Sequence, residues 1–295
     1  MTIRTKNTAS CHSRGGATIT GDKKVTLVGN PNVGKSVVFG NLTGNYVTVS
    51  NYPGTTVEVT RGNGKINDKT IGIIDTPGMY SLLPITEEES VARAILLNEN
   101  TDIVIQVADA KSLERTLHLT LQLIEFGLPV ILDLNIMDEA GRLGMRIDLE
   151  KLRRELDIPV VSTVATDNKG MENLRQAITK TIKPSDKVFR YEDTIESAII
   201  KIAGLIKGDY RISKRAMAVL LLQDDPDIRN LIEDEEAKTA IDEIALRIKQ
   251  EFSEPLNYLI TIRRQRIISK LAKDSTSTVG SAKISFRERL SRLIG

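Results

Sequence analysis

Cysteine is nearly absent from this chain of 295 residues, Cys11 being the single one. One thiol cannot close an internal disulfide, so the sequence fits a reducing cytosol. Tryptophan is missing and aromatics reach only 4%, which argues against a base-stacking surface for nucleic acid. Net charge is close to nil, +2 from 41 basic and 39 acidic residues, so no overall field draws a polyanion. Long apolar runs are lacking too: the longest candidate, 216–222, falls far short of the roughly 18 residues that a bilayer span needs. Residues 1–22 hold no apolar signal-peptide core. The stretch 1–23 reads as a disordered extension, in which Cys11 beside His12 makes a poor metal site.

What is present is 40% apolar and 27% charged residues, enough for one large or two modest cores. Strand patterns recur at 25–28, 70–74, 103–107, 130–134 and 159–161, with helical patterns at 87–98, 112–126, 149–156 and 171–181. Such alternation predicts a mainly parallel sheet with helices on both faces and ligands at polar strand ends. Thr86 is placed to cap helix 87–98, with Glu89 returning the bond in a capping box. Beyond 183–186 the alternation stops, and 191–273 carries helical periodicity alone, in four or five segments. Asp225-Pro226 and Glu254-Pro255 each read as a cap followed by proline. In the last segment Leu256, Leu259, Ile260, Ile267 and Leu271 make a core stripe, with Arg263, Arg264, Arg266 and Lys270 mostly outside it.

The first apolar run leads straight into Gly29-Asn30-Pro31-Asn32-Val33-Gly34-Lys35-Ser36. A strand entering a glycine-containing loop that opens a helix, here 35–42, is a phosphate cradle. Backbone N–H groups turn in around the anion, the Lys35 ammonium reaches the terminal phosphates, and the Ser36 hydroxyl suits Mg²⁺. Val37, in the first helical turn, completes the set. The fold class expected is therefore α/β, a P-loop domain with a Ras-like, mainly parallel sheet over 24–183, followed by a small all-α domain over 184–272. A Ser/Thr/Gly-rich linker would occupy 273–295. Near its end Phe286, Leu290, Leu293 and Ile294 share a helical face too short to be stable alone. The abrupt stop after Gly295 is what a piece of a longer polypeptide would show.

Four further stretches complete the pocket. Asp75-Thr76-Pro77-Gly78 ends the second of these strands; its carboxylate can hold Mg²⁺ and the Gly78 N–H can meet a γ-phosphate. Asn135-Ile136-Met137-Asp138 follows strand 130–134, and Asp138 can accept both hydrogens of the N1 and 2-amino edge of guanine. Adenine lacks that edge and would leave Asp138 desolvated and unpaired. Thr163-Val164-Ala165 would give backbone N–H to the guanine carbonyl, so the set selects GTP and GDP over ATP. The stretch 44–56 has no clear period and reads as a movable loop. At its end lie Gly54, Thr55 and Thr56. Thr56 is the choice for a second Mg²⁺ hydroxyl, with Thr55 a close competitor.

These residues resemble the ferrous-iron transport protein B family. The resemblance rests on the phosphate loop, on Asn51-Tyr52-Pro53-Gly54-Thr55-Thr56-Val57-Glu58, on Asp75-Thr76-Pro77-Gly78-Met79-Tyr80-Ser81-Leu82, and on Asn135-Ile136-Met137-Asp138-Glu139-Ala140. It covers about 25–272, the helical part by pattern only. It implies a GTPase domain and a helical domain that favours the GDP-bound state, at the cytoplasmic face of the inner membrane, joined to an Fe²⁺ permease. Homo-oligomers are left open, and no residues form a convincing iron site. Two departures stand out: Asp133 interrupts an apolar strand, and Val164 replaces a common serine.

Met79 stands where many small GTPases carry the glutamine that orients water, and no arginine lies in the candidate switch loop. Asn32 is the remaining candidate: its side-chain oxygen could hold K⁺ against the phosphates, as in related GTPases lacking the glutamine. Catalytic roles thus fall to Asn32, Lys35, Thr56 and Gly78. Ile136 replaces the lysine that packs on guanine, so GDP retention should be nearer micromolar than nanomolar, ~4 kcal/mol weaker. Two other readings compete: a ribosome-assembly or RNA-modification GTPase, disfavoured because no Gly-x-x-Gly clamp follows, and a non-catalytic nucleotide sensor.

Overall fold

The computed structural model describes residues 21–44 and 47–278. The tail pair Cys11 and His12 and the apolar set Phe286, Leu290, Leu293 and Ile294 lie outside them. In chain order the elements begin β1 (Lys23–Val28), α1 (Lys35–Leu42), β2 (Val47–Asn51), β3 (Glu58–Ile66), β4 (Lys69–Asp75) and α2 (Glu87–Asn98). Next come β5 (Ile103–Asp109), α3 (Leu113–Glu125), β6 (Val130–Asn135), α4 (Met137–Arg142), β7 (Met145–Ile147), α5 (Leu149–Leu156), β8 (Val160–Ser162) and α6 (Met171–Thr179). The rest is helical, α7 (Asp193–Leu205), α8 (Lys214–Leu222), α9 (Pro226–Leu231), α10 (Glu235–Glu251) and α11 (Leu256–Ser275), closed by β9 (Thr276–Thr278). Among the described residues no helix is long and apolar enough to cross a membrane.

Seven strands form one sheet in the order β2-β3-β4-β1-β5-β6-β8. The strands β4, β1, β5, β6 and the edge strand β8 run parallel. They are buried on both faces, which is why they read as continuous apolar runs rather than alternating ones. One face packs Leu27, Ile105 and Ile131 against Val38 and Phe39 of α1 and Leu174 of α6. On the other, Val104 and Leu132 meet Leu117 and Leu121 of α3, and the same buried cluster continues into α7, α8, α10 and α11. The all-α part therefore shares its core with the sheet.

Two segments differ from expectation. The loop expected over 44–56 contains β2, antiparallel to β3 from Val47↔Gly62 to Asn51↔Glu58. Its alternation spans only five residues and both Val47 and Val49 face solvent, so the period was too short to detect. The hairpin between β3 and β4 turns at Asn67 and Asp68, both at positive φ (48° and 62°), as a two-residue type I′ connection requires. The linker expected from 273 instead continues α11 to Ser275 and then pairs β9 with β7, from Ile147↔Thr276 to Met145↔Thr278. Neither β7 nor α4 was foreseen, since three and six residues give no readable period.

Of the three helix-start caps expected from the sequence, one forms as expected and two differ. Asp225 caps α9 by accepting the Ile228 N–H, with Pro226 in the first turn. At α11, by contrast, Pro255 itself occupies the cap position and Glu254 caps nothing. Thr86 accepts the Glu89 N–H as expected, but the Glu89 carboxylate accepts from Tyr80 N and Ile85 N instead of closing a capping box. That diversion fastens the segment after Gly78 to the start of α2.

Two buried ion pairs join the halves. Arg93 of α2 grips Asp225 with both amino groups at 2.8 Å. Arg264, placed outside the stripe by its sequence pattern, is in fact buried, its Nε and Nη2 donating to Glu125 Oε2 at 3.0 and 2.7 Å. Tyr191 donates its hydroxyl to Glu125 Oε1 at 2.5 Å, and burial together with the Glu125 charge raises its pKa. Removing one partner of such a pair strands the other charge. Arg264→Ala should lower stability by about 3 kcal/mol, read as the urea midpoint, and adding Glu125→Gln should recover part of that loss.

Candidate functional site

The site lies where the parallel strands β4, β1 and, one strand further on, β6 end, so that each delivers its following loop to one edge of the sheet. After Val28 the chain turns through Gly29 to Gly34. Asn32 and Gly34 both take left-handed conformations (φ 64° and 85°), a pattern that turns successive N–H groups to one side as an anion nest. Glycine at 34 is required on a second count. A Cβ there would sit 2.4 Å from Asn135 Nδ2.

Lys35 opens α1 and places its ammonium 2.7 Å from Asp75 Oδ1 and 2.5 Å from the Thr76 carbonyl. Ser36 Oγ lies 3.1 Å from Asp75 Oδ2. A hydroxyl and a carboxylate oxygen so close together are hard donors of the kind Mg²⁺ prefers, so the residues fit that ion. Thr76 is pinned to the Leu27 carbonyl through its hydroxyl at 2.8 Å, and the Met79 N–H donates to the Gly29 carbonyl at 3.0 Å. The end of β4 thus rests on the phosphate loop: Gly78 packs so tightly that a Cβ would lie 2.8 Å from Pro31 Cγ. Among the described residues the Gly78 N–H has no protein acceptor. Met79 is fully buried and is turned away from the cleft.

Thr56, exposed, lines one cleft with Pro77, Gly78, Thr86 and Glu87. Thr55 differs. Its hydroxyl donates to the Tyr52 carbonyl and accepts the Val57 N–H, so it is engaged in the turn while the Thr56 hydroxyl has no such partner. Gly54 sits just before them at φ 80°. Asn30 is buried with its Oδ1 unsatisfied, and Asn32 is exposed. Val33 is buried against the sheet and Val37 is exposed on α1.

Asn135 ties the pocket together. Its Nδ2 donates to the Val33 carbonyl at 3.0 Å, while its Oδ1 accepts from Ala165 N at 3.0 Å and from the Thr163 hydroxyl at 3.1 Å. Phosphate loop and 163–165 turn therefore meet on a single amide. The N–H groups of that turn are not free as expected: Thr163 N donates to Leu134 O, Val164 N to Lys169 O, and Ala165 N to Asn135. Among the described residues the amide here without a protein acceptor is that of Thr166, in a short 3₁₀ turn, one position beyond the expected donors. The signal missed was the asparagine itself, whose Oδ1 is spent within the protein.

Met137 and Asp138 open α4, with the Asp138 carboxylate half-exposed and paired to Arg142 one turn on. Ahead of them Ile136 is held at φ 62°, where a β-branched side chain is strained. Asp133, two residues before Asn135, is fully buried, and desolvation pushes its pKa up to about 7. Among the described residues no group of three or more His, Cys, Asp or Glu is arranged to hold a metal.

Residues 23–178 match the family model described as ferrous iron transport protein B, and 191–277 match the FeoB cytosolic helical domain. The chain is 34% identical over 253 residues to the Fe(2+) transporter FeoB of Escherichia coli K12, covering 83% of this chain and 32% of that one. It is 36% identical over 219 residues to a Fe(2+) transport protein A/FeoB fusion protein of Porphyromonas gingivalis, covering 71% and 26%. It thus spans about a third or less of the length of these relatives. A mutant NFeoB of S. thermophilus bound to GDP superposes with TM-score 0.78 at 32% identity, covering 86% of this chain and all of that one. The cytosolic domain of T. maritima FeoB in its GMPPNP form gives 0.74 at 32% identity, covering 86% and 99%.

Replacing Ile136 with asparagine, which tolerates the left-handed region, should raise stability by about 1 kcal/mol, read from urea unfolding. Asn135→Ala, leaving the Val33 carbonyl and the Ala165 N–H unpaired, should lower it by about 2 kcal/mol and weaken guanine nucleotide binding by calorimetry.

Proposed function

Because the chain belongs to the ferrous iron transport protein B family, as its G domain joined to the cytosolic helical domain, we propose that it binds GTP and hydrolyses it to GDP and phosphate. The observation that carries this reading is the Asn135 amide, which holds the phosphate loop and the base-side turn to one pocket. Backbone N–H groups of 29–34 and the Lys35 ammonium take the phosphates, and the Gly78 N–H meets the γ-phosphate. Ser36, Thr56 and Asp75 would hold Mg²⁺, which supplies charge neutralisation on the β- and γ-oxygens. Asp138 accepts the N1 and 2-amino hydrogens of guanine, with the Ala165–Thr166 turn facing its carbonyl.

Burial of Met79 supports a mechanism without a glutamine-type water orienter. Asn32 is exposed at the left-handed corner of the phosphate loop, free to offer its oxygen to K⁺, which would supply the positive charge that an arginine gives elsewhere. The remainder of a longer polypeptide, a membrane permease for Fe²⁺, is the partner, which sets this chain at the cytoplasmic face of the inner membrane. The FeoB relatives named as Fe(2+) transporters support that assignment, as do those named with GDP and GMPPNP for the nucleotide.

Calorimetry should give GDP and GTP binding at least tenfold tighter than ADP and ATP, the discrimination expected from a desolvated carboxylate facing the wrong edge. Equal affinities would overturn the reading. Asp138→Asn should lose guanine preference. Multiple-turnover hydrolysis should run several-fold faster in K⁺ than in Na⁺, and Asn32→Ala should erase that difference. No turnover at all would leave a nucleotide sensor.

A further inference from the structure

Asp133 is a carboxylic acid on β6, where residues 130–132 and 134 are aliphatic. It is fully buried, in register with Val107 of β5 and Val161 of β8. Among the described residues its one partner is the Thr163 hydroxyl, 2.7 Å from Oδ1, and its Oδ2 has none. The same hydroxyl lies 3.1 Å from Asn135 Oδ1. Thr163 thus stands between two oxygens with a single proton to give.

If Asp133 is ionised, that proton goes to the carboxylate, and the Thr163 and Asn135 oxygens face one another with no hydrogen between them. If Asp133 carries a proton, it donates to Thr163 Oγ1, and the threonine proton turns to Asn135 Oδ1. Only the second arrangement satisfies the chain of oxygens, and the group at its end joins phosphate loop to base turn.

We propose that Asp133 is a positioning residue for the guanine pocket, acting in its protonated form through Thr163 to hold Asn135. The inference rests on the guanine-nucleotide reading above. No charge opposes it from the surrounding elements: β5 and β8 present Val107 and Val161. On the helices covering this face, Lys35 of α1 is tied to Asp75, while Arg175 of α6 donates to the Asn41 carbonyl and pairs with the exposed Glu172. Desolvation, set against the Thr163 hydrogen bond, raises the Asp133 pKa to about 7, so the two arrangements exchange in the physiological range. The sign follows. A folded pKa above the unfolded one gives stability fully present below about pH 4 and lost as pH rises through about 7, and nucleotide retention falls through the same upper limit.

The test compares fluorescent GDP release from the whole chain and from Asp133→Asn between about pH 5.5 and 8.5. Asparagine keeps a donor for Thr163 at every pH. Release from the unsubstituted protein should quicken by about five-fold across that range, the effect of one hydrogen bond, relative to a level profile for Asp133→Asn. Thr163→Val should also remove the excess. A constant ratio between the two proteins at all pH values overturns the proposal. Failure of the guanine reading would show separately, as equal retention of GDP and ADP at about pH 6. Thermal unfolding without nucleotide then decides: Asp133→Asn should gain on the unsubstituted protein as pH rises from about 5 to 8, and parallel curves overturn the proposal.

Discussion

One amide side chain sets the geometry on which the pocket depends. Asn135 is at the end of β6, buried, and spends its donor on the phosphate loop and its acceptor on the opposite turn. Two loops more than 100 residues apart in sequence are thereby held at a fixed separation, which is what a ligand with a phosphate end and a base end requires. Because the bonds are buried, water does not compete for them, and each is worth more than it would be at the surface. The glycine at 34 exists to let this amide approach. Bulk there would displace the joint before it displaced any ligand.

A second constraint acts on the other side of the phosphate loop. The segment after Asp75 is held at Thr76 and Met79 by the backbone of β1 and the phosphate loop, then at Tyr80 and Ile85 by the Glu89 carboxylate. Glu89 belongs to α2, and α2 carries Arg93, gripped by Asp225 of the helical part. The chain from Gly78 to α9 is thus a sequence of charge-assisted bonds with little apolar slack. Buried pairs of this kind add little net stability, but losing one partner strands the other charge at a high cost. They specify how α2 sits against its neighbours.

The inner sheet and its loops were legible because its strands are buried on both faces and β4, β5 and β6 end in Asp75, Asp109 and Asn135. Lys35, Ser36, Asp75 and Asn135 come together as their spacing predicts. What escaped had its cause at a distance. Arg264 falls on the polar side of a simple helical stripe, and nothing local reveals that Glu125, 139 residues earlier, waits to pair with it. β7 and β9 are three residues each and exist only through one another. The engaged amides of 163–165 could not be read without knowing where the asparagine oxygen points.

The short ribbon of β7 and β9 gives the far end of the described chain an unexpected address. By Thr278 the polypeptide has left α11 and lies hydrogen-bonded to Met145, three residues beyond the helix that starts at Met137 and Asp138. A mechanical load applied downstream of Thr278 therefore has two paths. One runs back along the 20 residues of α11; the other crosses a few backbone bonds and α4 to the loop after β6. The second path is the shorter in residues, so a pull on the segment after Thr278 would load the start of α4 as well as the helical bundle.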